Sequence, residues 1–240
     1  MGFNGSDDTF NGDRQVTRPG VANVNAGGET VKEFLENYFF PAVPPTLSFS
    51  GLGGPYEKGL ERNLNLSATV TPNDATIDLR QFKQGASVIS TEASNSMSET
   101  VTNIKDTVTY TAYVEYTLSG TGGQTLSQNR TASFYAPSYY GTGDAGNENE
   151  TWVKANLTKT IRSNNNLTAN FSPVLERYYF AYPQSFGTVS QVLDPNNFDI
   201  TDAFTQFTST FTLADGSTED YYIYRSNDDT TQVAYQLRFT

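Results

Sequence analysis

The 240-residue chain has no cysteine, no histidine, a single tryptophan and two methionines. Without cysteine, disulfide staples, thiolate nucleophiles and zinc–sulfur sites are excluded together, and the redox compartment stays open. Without histidine, imidazole-based Ser or Cys triads, histidine metal ligands and a histidine proton shuttle are excluded as well. Basic charge is scarce: 15 Lys and Arg against 26 Asp and Glu leave a net charge of −11. Such a balance repels phosphate backbones and anionic lipid, so neither nucleic acid nor a membrane is expected as a partner. No run approaches the roughly 20 apolar residues of a membrane span, and the opening MGFNGSDDTF lacks the basic segment and apolar run of a secretory signal. The Gly2–Ser6 match to a myristoylation pattern is set aside, because Asp7 and Asp8 follow where basic residues would help hold a membrane.

What is present is aromatic and β-prone. The 16 Phe and 15 Tyr stand among many Thr, Ser and Asn, residues that fit pleated, half-buried surfaces. The length exceeds a typical domain of roughly 100–150 residues and predicts two compact units plus extended chain. Residues 1–28 are rich in Gly, Asn and Asp, with Phe3, Phe10, Val16, Val21 and Val24 scattered without period. They read as either a disordered tail or an arm that orders only against a partner, and the spaced apolar residues favour the arm. Residues 29–45 read as a short amphipathic helix and a Pro-rich connector. Thr30 caps it, Val31, Phe34, Leu35, Tyr38 and Phe39 share one face, and Pro41, Pro44 and Pro45 end it. With Phe3 and Phe10, the residues Phe34, Leu35, Phe39 and Phe40 are the expected partner-binding set.

Strands are expected over 46–50, 64–70, 76–82, 99–103, 108–118 and 131–135, each bounded by Gly, Pro, Asn or Asp. In the longest, Val108, Tyr110, Ala112, Val114, Tyr116 and Leu118 alternate with polar or weakly apolar positions, which puts one face on a core. Six or seven strands in some ninety residues predict an immunoglobulin-like sandwich over 46–137. The run PSYYGTGDAGNENE, from Pro137 to Glu150, reads as a turn-rich boundary. A second β-sandwich is expected over 138–240, with strands at 177–182, 188–193, 207–213, 220–225 and 232–239. Residues 151–161 fit either a helix or a strand, and Ala214-Asp215-Gly216-Ser217 supplies a hairpin turn. The expected class is therefore all-β: two antiparallel Ig-like β-sandwich domains preceded by an extended arm and one short helix.

A family resemblance enters at specific residues. Tyr179-Phe180-Ala181-Tyr182-Pro183-Gln184-Ser185-Phe186-Gly187-Thr188, Asp194-Pro195-Asn196-Asn197-Phe198-Asp199 and the aromatic hairpin Phe211 to Tyr224 resemble the C-terminal module of virion structural proteins of tailed phages. Phe34-Leu35-Glu36-Asn37-Tyr38-Phe39-Phe40-Pro41 is similar to the segment that precedes the Ig-like domain there. Tyr56-Glu57-Lys58-Gly59 and Phe134-Tyr135-Ala136-Pro137 are similar to the start and end of that domain. The resemblance implies a place in a particle and brings no catalytic residues.

Catalysis without His or Cys would rest on carboxylates, such as Glu57 with Glu61 or Asp199 with Asp202, whose separation a sequence does not give. Calcium would need several oxygens in a loop. Asp144, Asn147, Glu148, Asn149 and Glu150, or Asn227-Asp228-Asp229, are candidates, yet neither has EF-hand spacing. Solvated loops are the expectation, with no catalytic residue, metal or cofactor. Trp152, Tyr222 and Tyr224 are the aromatics that an exposed glycan-stacking or interface surface would use.

The expected function is thus a non-enzymatic structural component of a phage particle, of its tail, baseplate or an associated appendage, anchored through the arm. Such a virion protein is assembled in the host cytoplasm, in repeated copies or as a homo-oligomer, beside other virion structural proteins. The alternative is a receptor-binding adhesin that meets host-surface glycans through an aromatic-lined sandwich face.

Overall fold

The computed structural model describes residues 15–16, 24–25, 41–146, 148–172, 175–230 and 235–240. Strands make up 60% of the structure and helix 7%, which is the all-β class expected from composition. The predicted helix within 30–40 lies outside the described residues. So do Phe3, Phe10, Phe34, Leu35, Phe39 and Phe40. Within 1–40 the structure describes β1 (Gln15–Val16) and β2 (Val24–Asn25), which pair antiparallel.

The N-terminal unit is built by alternation. β5 (Arg62–Thr71) buries Leu64, Leu66, Ala68 and Val70 and exposes the polar residues between them. It lies between β3 (Thr46–Ser50) and β8 (Ser96–Ile104) in a three-stranded antiparallel sheet. The facing sheet runs β10 (Thr121–Ala132), β9 (Val108–Leu118), β6 (Thr76–Gln84), β7 (Ser87–Thr91). The inward residues of both sheets form one core, with Phe49 and Phe82 in ring contact at 5.5 Å across it. The edge of β3 is closed by β10 side chains. The Phe49 N–H donates to Gln128 Oε1 at 2.9 Å, and its carbonyl accepts from Arg130 Nε at 2.9 Å. Edge groups held this way are not a template for stray pairing.

The C-terminal unit is layered differently. A five-stranded antiparallel sheet runs β13 (Thr158–Ile161), β12 (Pro137–Gly143), β15 (Arg177–Pro183), β18 (Thr218–Ser226), β17 (Phe204–Thr212). One face packs on a three-stranded sheet of β14 (Leu167–Phe171), β19 (Tyr235–Phe239) and β16 (Val192–Leu193). The other packs on helix α1 (Glu150–Asn156), through Trp152, Val153 and Leu157. The second unit is therefore three layers where a two-sheet sandwich was expected.

The helix explains two misread glycines. A Cβ on Gly143 would lie 2.2 Å from the Trp152 ring, and one on Gly141 would lie 3.0 Å from Leu157 Cδ2. Residues 137–143, expected as a boundary loop, are instead a strand whose glycines let α1 approach. Helix α1 is capped by Asn149, whose Oδ1 accepts from the Trp152 N–H at 3.0 Å. Its Glu150 and Lys154 pair at 2.6 Å one turn apart. Glu150 also accepts from the Thr212 N–H at 2.6 Å, while Lys154 donates to the Thr212 carbonyl, so the helix clasps the end of β17. Burial alone would raise the Glu150 carboxyl, and the Lys154 ammonium with the Thr212 N–H overrides it and lowers it. Among the described residues no helix is long and apolar enough to cross a membrane.

Candidate functional site

The place where distant parts of the chain converge is the junction between the two units. β10 ends at Ala132, β11 (Phe134–Tyr135) follows at once, and after buried Ala136 the chain is already in β12. No linker intervenes. β11 pairs in parallel with β4 (Tyr56–Glu57). The Tyr56 N–H donates to the Ser133 carbonyl and the Lys58 N–H to the Tyr135 carbonyl, each at 2.9 Å. β4 thereby straps the connecting segment from one side.

Side chains then cross from the strap to the second unit. Lys159 Nζ meets Glu57 Oε2 at 2.8 Å, and Lys58 Nζ meets Glu219 Oε2 at 3.4 Å. Tyr135 packs edge-on against Phe186 at 6.3 Å. Gly59, with φ +83°, comes so close to the β17–β18 turn that a Cβ there would lie 2.9 Å from the Asp215 nitrogen. Its left-handed backbone and the close approach both require glycine. The Tyr221 hydroxyl donates to the Pro137 carbonyl at 2.7 Å and fixes the first residue of the second unit.

A cleft of about 290 Å³ opens beside these contacts, lined by Glu57, Tyr139, Lys154, Lys159, Leu213 and others. Its charges are already matched, Lys159 with Glu57 and Lys154 with Glu150. Burial, with the Glu57 and Glu150 carboxylates adding to it, pushes Tyr139 up to about 12. A phenol held neutral in this way is a hydrogen-bonding group and not a nucleophile near neutral pH. The arrangement joins the two units through paired charges, a parallel strand pair and the Tyr221–Pro137 hydrogen bond.

Several of the residues singled out from sequence have structural contacts. Trp152 packs on Tyr179 at 5.0 Å, on the helix side of the five-stranded sheet. Tyr222 and Tyr224 lie on the opposite side, against the three-stranded sheet. Tyr224 is buried and donates to Gln206 Oε1 at 2.5 Å. The structure therefore does not bring Trp152 together with Tyr222 and Tyr224 in one aromatic surface, because α1 covers one face and a second sheet the other. Glu148 pairs with Arg225, Asn149 caps α1, and Asp229 accepts from Arg177 Nε at 2.9 Å. Asp199 accepts from the Thr201 hydroxyl at 2.6 Å. Asn147 lies outside the described residues, and among the described ones no group of three or more His, Cys, Asp or Glu is placed to hold a metal ion.

Sequence reasoning missed the junction pairs, because residues 102 and 161 positions apart meet there. The signal that was available is the short Tyr56-Glu57-Lys58-Gly59 run, in which two opposite charges stand next to a glycine. No protein-family model, curated protein or solved structure matches the chain.

Proposed function

We propose that the chain is a non-enzymatic structural protein, a two-unit spacer anchored through its N-terminal segment in a larger assembly. The observation that carries the spacer reading is the junction, where β12 follows β11 without a linker and Lys159–Glu57 and Lys58–Glu219 tie the units together. Ordinary inter-domain contacts permit relative motion; strapping the connecting segment on a second strand opposes it. The three-plus-four strand order of the N-terminal unit supports an immunoglobulin-like identity for it. A phage tail, baseplate or appendage is the setting that the sequence resemblance supports, with the chain in the virion beside other structural proteins and in repeated copies. Phe3, Phe10, Phe34, Leu35, Phe39 and Phe40 are the proposed anchors.

The test is deletion of residues 2–28 in the phage that encodes the chain. The truncated protein should be soluble and folded, with the melting of both β units unchanged, and it should be missing from purified particles. Wild-type incorporation of the truncated chain would contradict the anchoring.

A further inference from the structure

Edge strands carry a row of unpaired N–H and C=O groups, which folded proteins protect by brevity, charge, a bulge or a cover. Most sheet edges in the two units have such protection. β3 is closed by Gln128 and Arg130 of β10, and β10 has a register shift near Thr121. β7 is five residues long with a shifted pairing to β6, and β8 carries Glu99 and a shifted register. β13 has four residues and includes Lys159, while β14 and β16 have five and two. β17 differs. It has nine residues without charge or proline, and it pairs with β18 in unbroken register from Phe204 to Thr212. Among the described residues no strand lies beyond it.

Helix α1 covers only the last residue of this edge. The Thr212 N–H and carbonyl turn away from β18 to Glu150 and Lys154. Ladder groups alternate between the two sides of a strand, so those of Thr210, Thr208 and Gln206 point outward as well. The Ala203 carbonyl, one position out of phase, accepts from the Asn227 N–H on the β18 side. Phe204 uses its N–H on the Thr201 carbonyl and leaves its own carbonyl outward. The open window is therefore 204–210. Its centre is Phe207, a half-buried ring under the Arg225 guanidinium at 4.7 Å.

A second copy of the chain fits this window. At a net charge of −11 two copies repel, so they meet most readily through a segment without charge. A two-fold contact must also be self-complementary. Antiparallel pairing centred on Phe207 meets that condition: Gln206 faces Thr208 of the second copy, Phe204 faces its Thr210, and the two Phe207 side chains form a cross-strand pair at the axis. An axis at Thr208 would set Phe204 against Thr212, whose groups α1 already holds, and an axis at Gln206 would shorten the ladder. We infer that β17 pairs antiparallel with β17 of a second copy across a two-fold axis at Phe207, joining two five-stranded sheets into one. The contact is one short strand from each copy, so its dissociation constant is on the order of 0.1–1 mM and dilute chain is monomeric. Copies anchored side by side reach effective concentrations of about that size. The inference deepens the assembly reading and rests on it for bringing copies together in a particle.

Sedimentation of the full chain up to about 2 mM tests it. The wild type should form dimers and stop there, because a two-fold contact closes. T208P removes one outward N–H from each copy, and an edge position whose N–H faces solvent accepts proline. The variant should keep the Trp152 emission of the folded unit and dimerise roughly tenfold more weakly or worse. Cross-linking checks the register. The chain has no cysteine, so F207C can form a disulfide only with a second copy. Residues opposed in a non-hydrogen-bonded pair stand about 4.5 Å apart at Cα, within disulfide reach, whereas T210C would stand about 20 Å from its own mate. F207C should therefore cross-link several-fold faster than T210C. A wild type that stays monomeric at about 2 mM, T208P dimers as tight as the wild type's, or F207C cross-linking no faster than T210C would each overturn the inference. Anchoring is read in particles through deletion of 2–28, so its failure and the failure of pairing are seen separately.

Discussion

The N-terminal unit leaves one face of each sheet toward water, whereas the C-terminal unit covers both faces of its large sheet. In β5 every second residue is buried; in β15 six consecutive residues, from Tyr178 to Pro183, are. Consecutive positions of β15 serve different cores, Tyr179 the helix side and Phe180 the side of the three-stranded sheet. Period-2 patterning therefore records wet and dry faces, and it vanishes where a sheet has no wet face. The second difference is polar. The C-terminal unit buries tyrosines whose hydroxyls reach specific partners, as in Tyr221 to Pro137 and Tyr179 to the Asp144 carbonyl.

Neighbouring substitutions give the largest effects by which this contrast can be broken. Tyr179→Ala and Phe180→Ala should each destabilise the C-terminal unit by about 3–5 kcal/mol. In β5, Leu66→Ala should cost about 2–5 kcal/mol and the adjacent Ser67→Ala no more than about 0.5 kcal/mol. Denaturant melts would read these. The one tryptophan, Trp152, lies in the C-terminal unit and reports on it by fluorescence. Equal costs at 66 and 67, or a silent partner in the 179/180 pair, would remove the contrast.

Alkaline pH should act next. Tyr139 is raised to about 12, and Tyr178, Tyr182, Tyr221, Tyr224 and Tyr235 are also raised, burial being the first cause in each. The folded chain keeps these protons above the ordinary tyrosine value near 10, where the unfolded chain releases them. Their contribution is therefore complete below pH about 10 and lost as pH rises toward and beyond 12, with Tyr139 alone worth on the order of 2–3 kcal/mol. The Trp152 signal should change before the circular dichroism of the N-terminal unit does. Simultaneous loss would contradict the ordering.

Smaller effects sharpen the comparison at the helix and the junction. Gly143→Ala puts a methyl into the Trp152 ring and should cost about 1–3 kcal/mol, visible as a shift in tryptophan emission. Lys159→Ala removes a pair whose lysine is 50% exposed, so its effect on stability should be at most about 1 kcal/mol. A larger loss in calorimetry would mean that the pair carries more of the junction than its exposure allows.

Legibility in the sequence follows the same physical division. The strands at 46–50, 64–70, 76–82 and 108–118 were readable because alternation marks a half-buried sheet, and 214–217 because turn chemistry is local. β10 was seen only at its end. Its TGGQTLSQNR stretch has a single large apolar residue, Leu126, and uses Gln128 and Arg130 to close β3. β12 was hidden by glycines that serve packing, and β7 by the lack of any fully buried residue to mark an inner face. At 188–193 only Val192 and Leu193 are strand. The separation of Trp152 from Tyr222 and Tyr224 depends on which layer covers which face, and a single chain's local pattern does not encode that. Glu57, Lys159, Lys58 and Glu219 meet only after both units have folded.

The central claim is that these contacts hold the two units in one orientation, and a chain without cysteine allows it to be measured directly. Cysteines placed at two exposed positions, T100C on β8 and T208C on β17, accept spin labels nowhere else. Dipolar spectroscopy of the doubly labelled protein should give one narrow distance distribution, unchanged by salt. A broad or multimodal distribution would show that the units move independently, and the spacer account would be wrong.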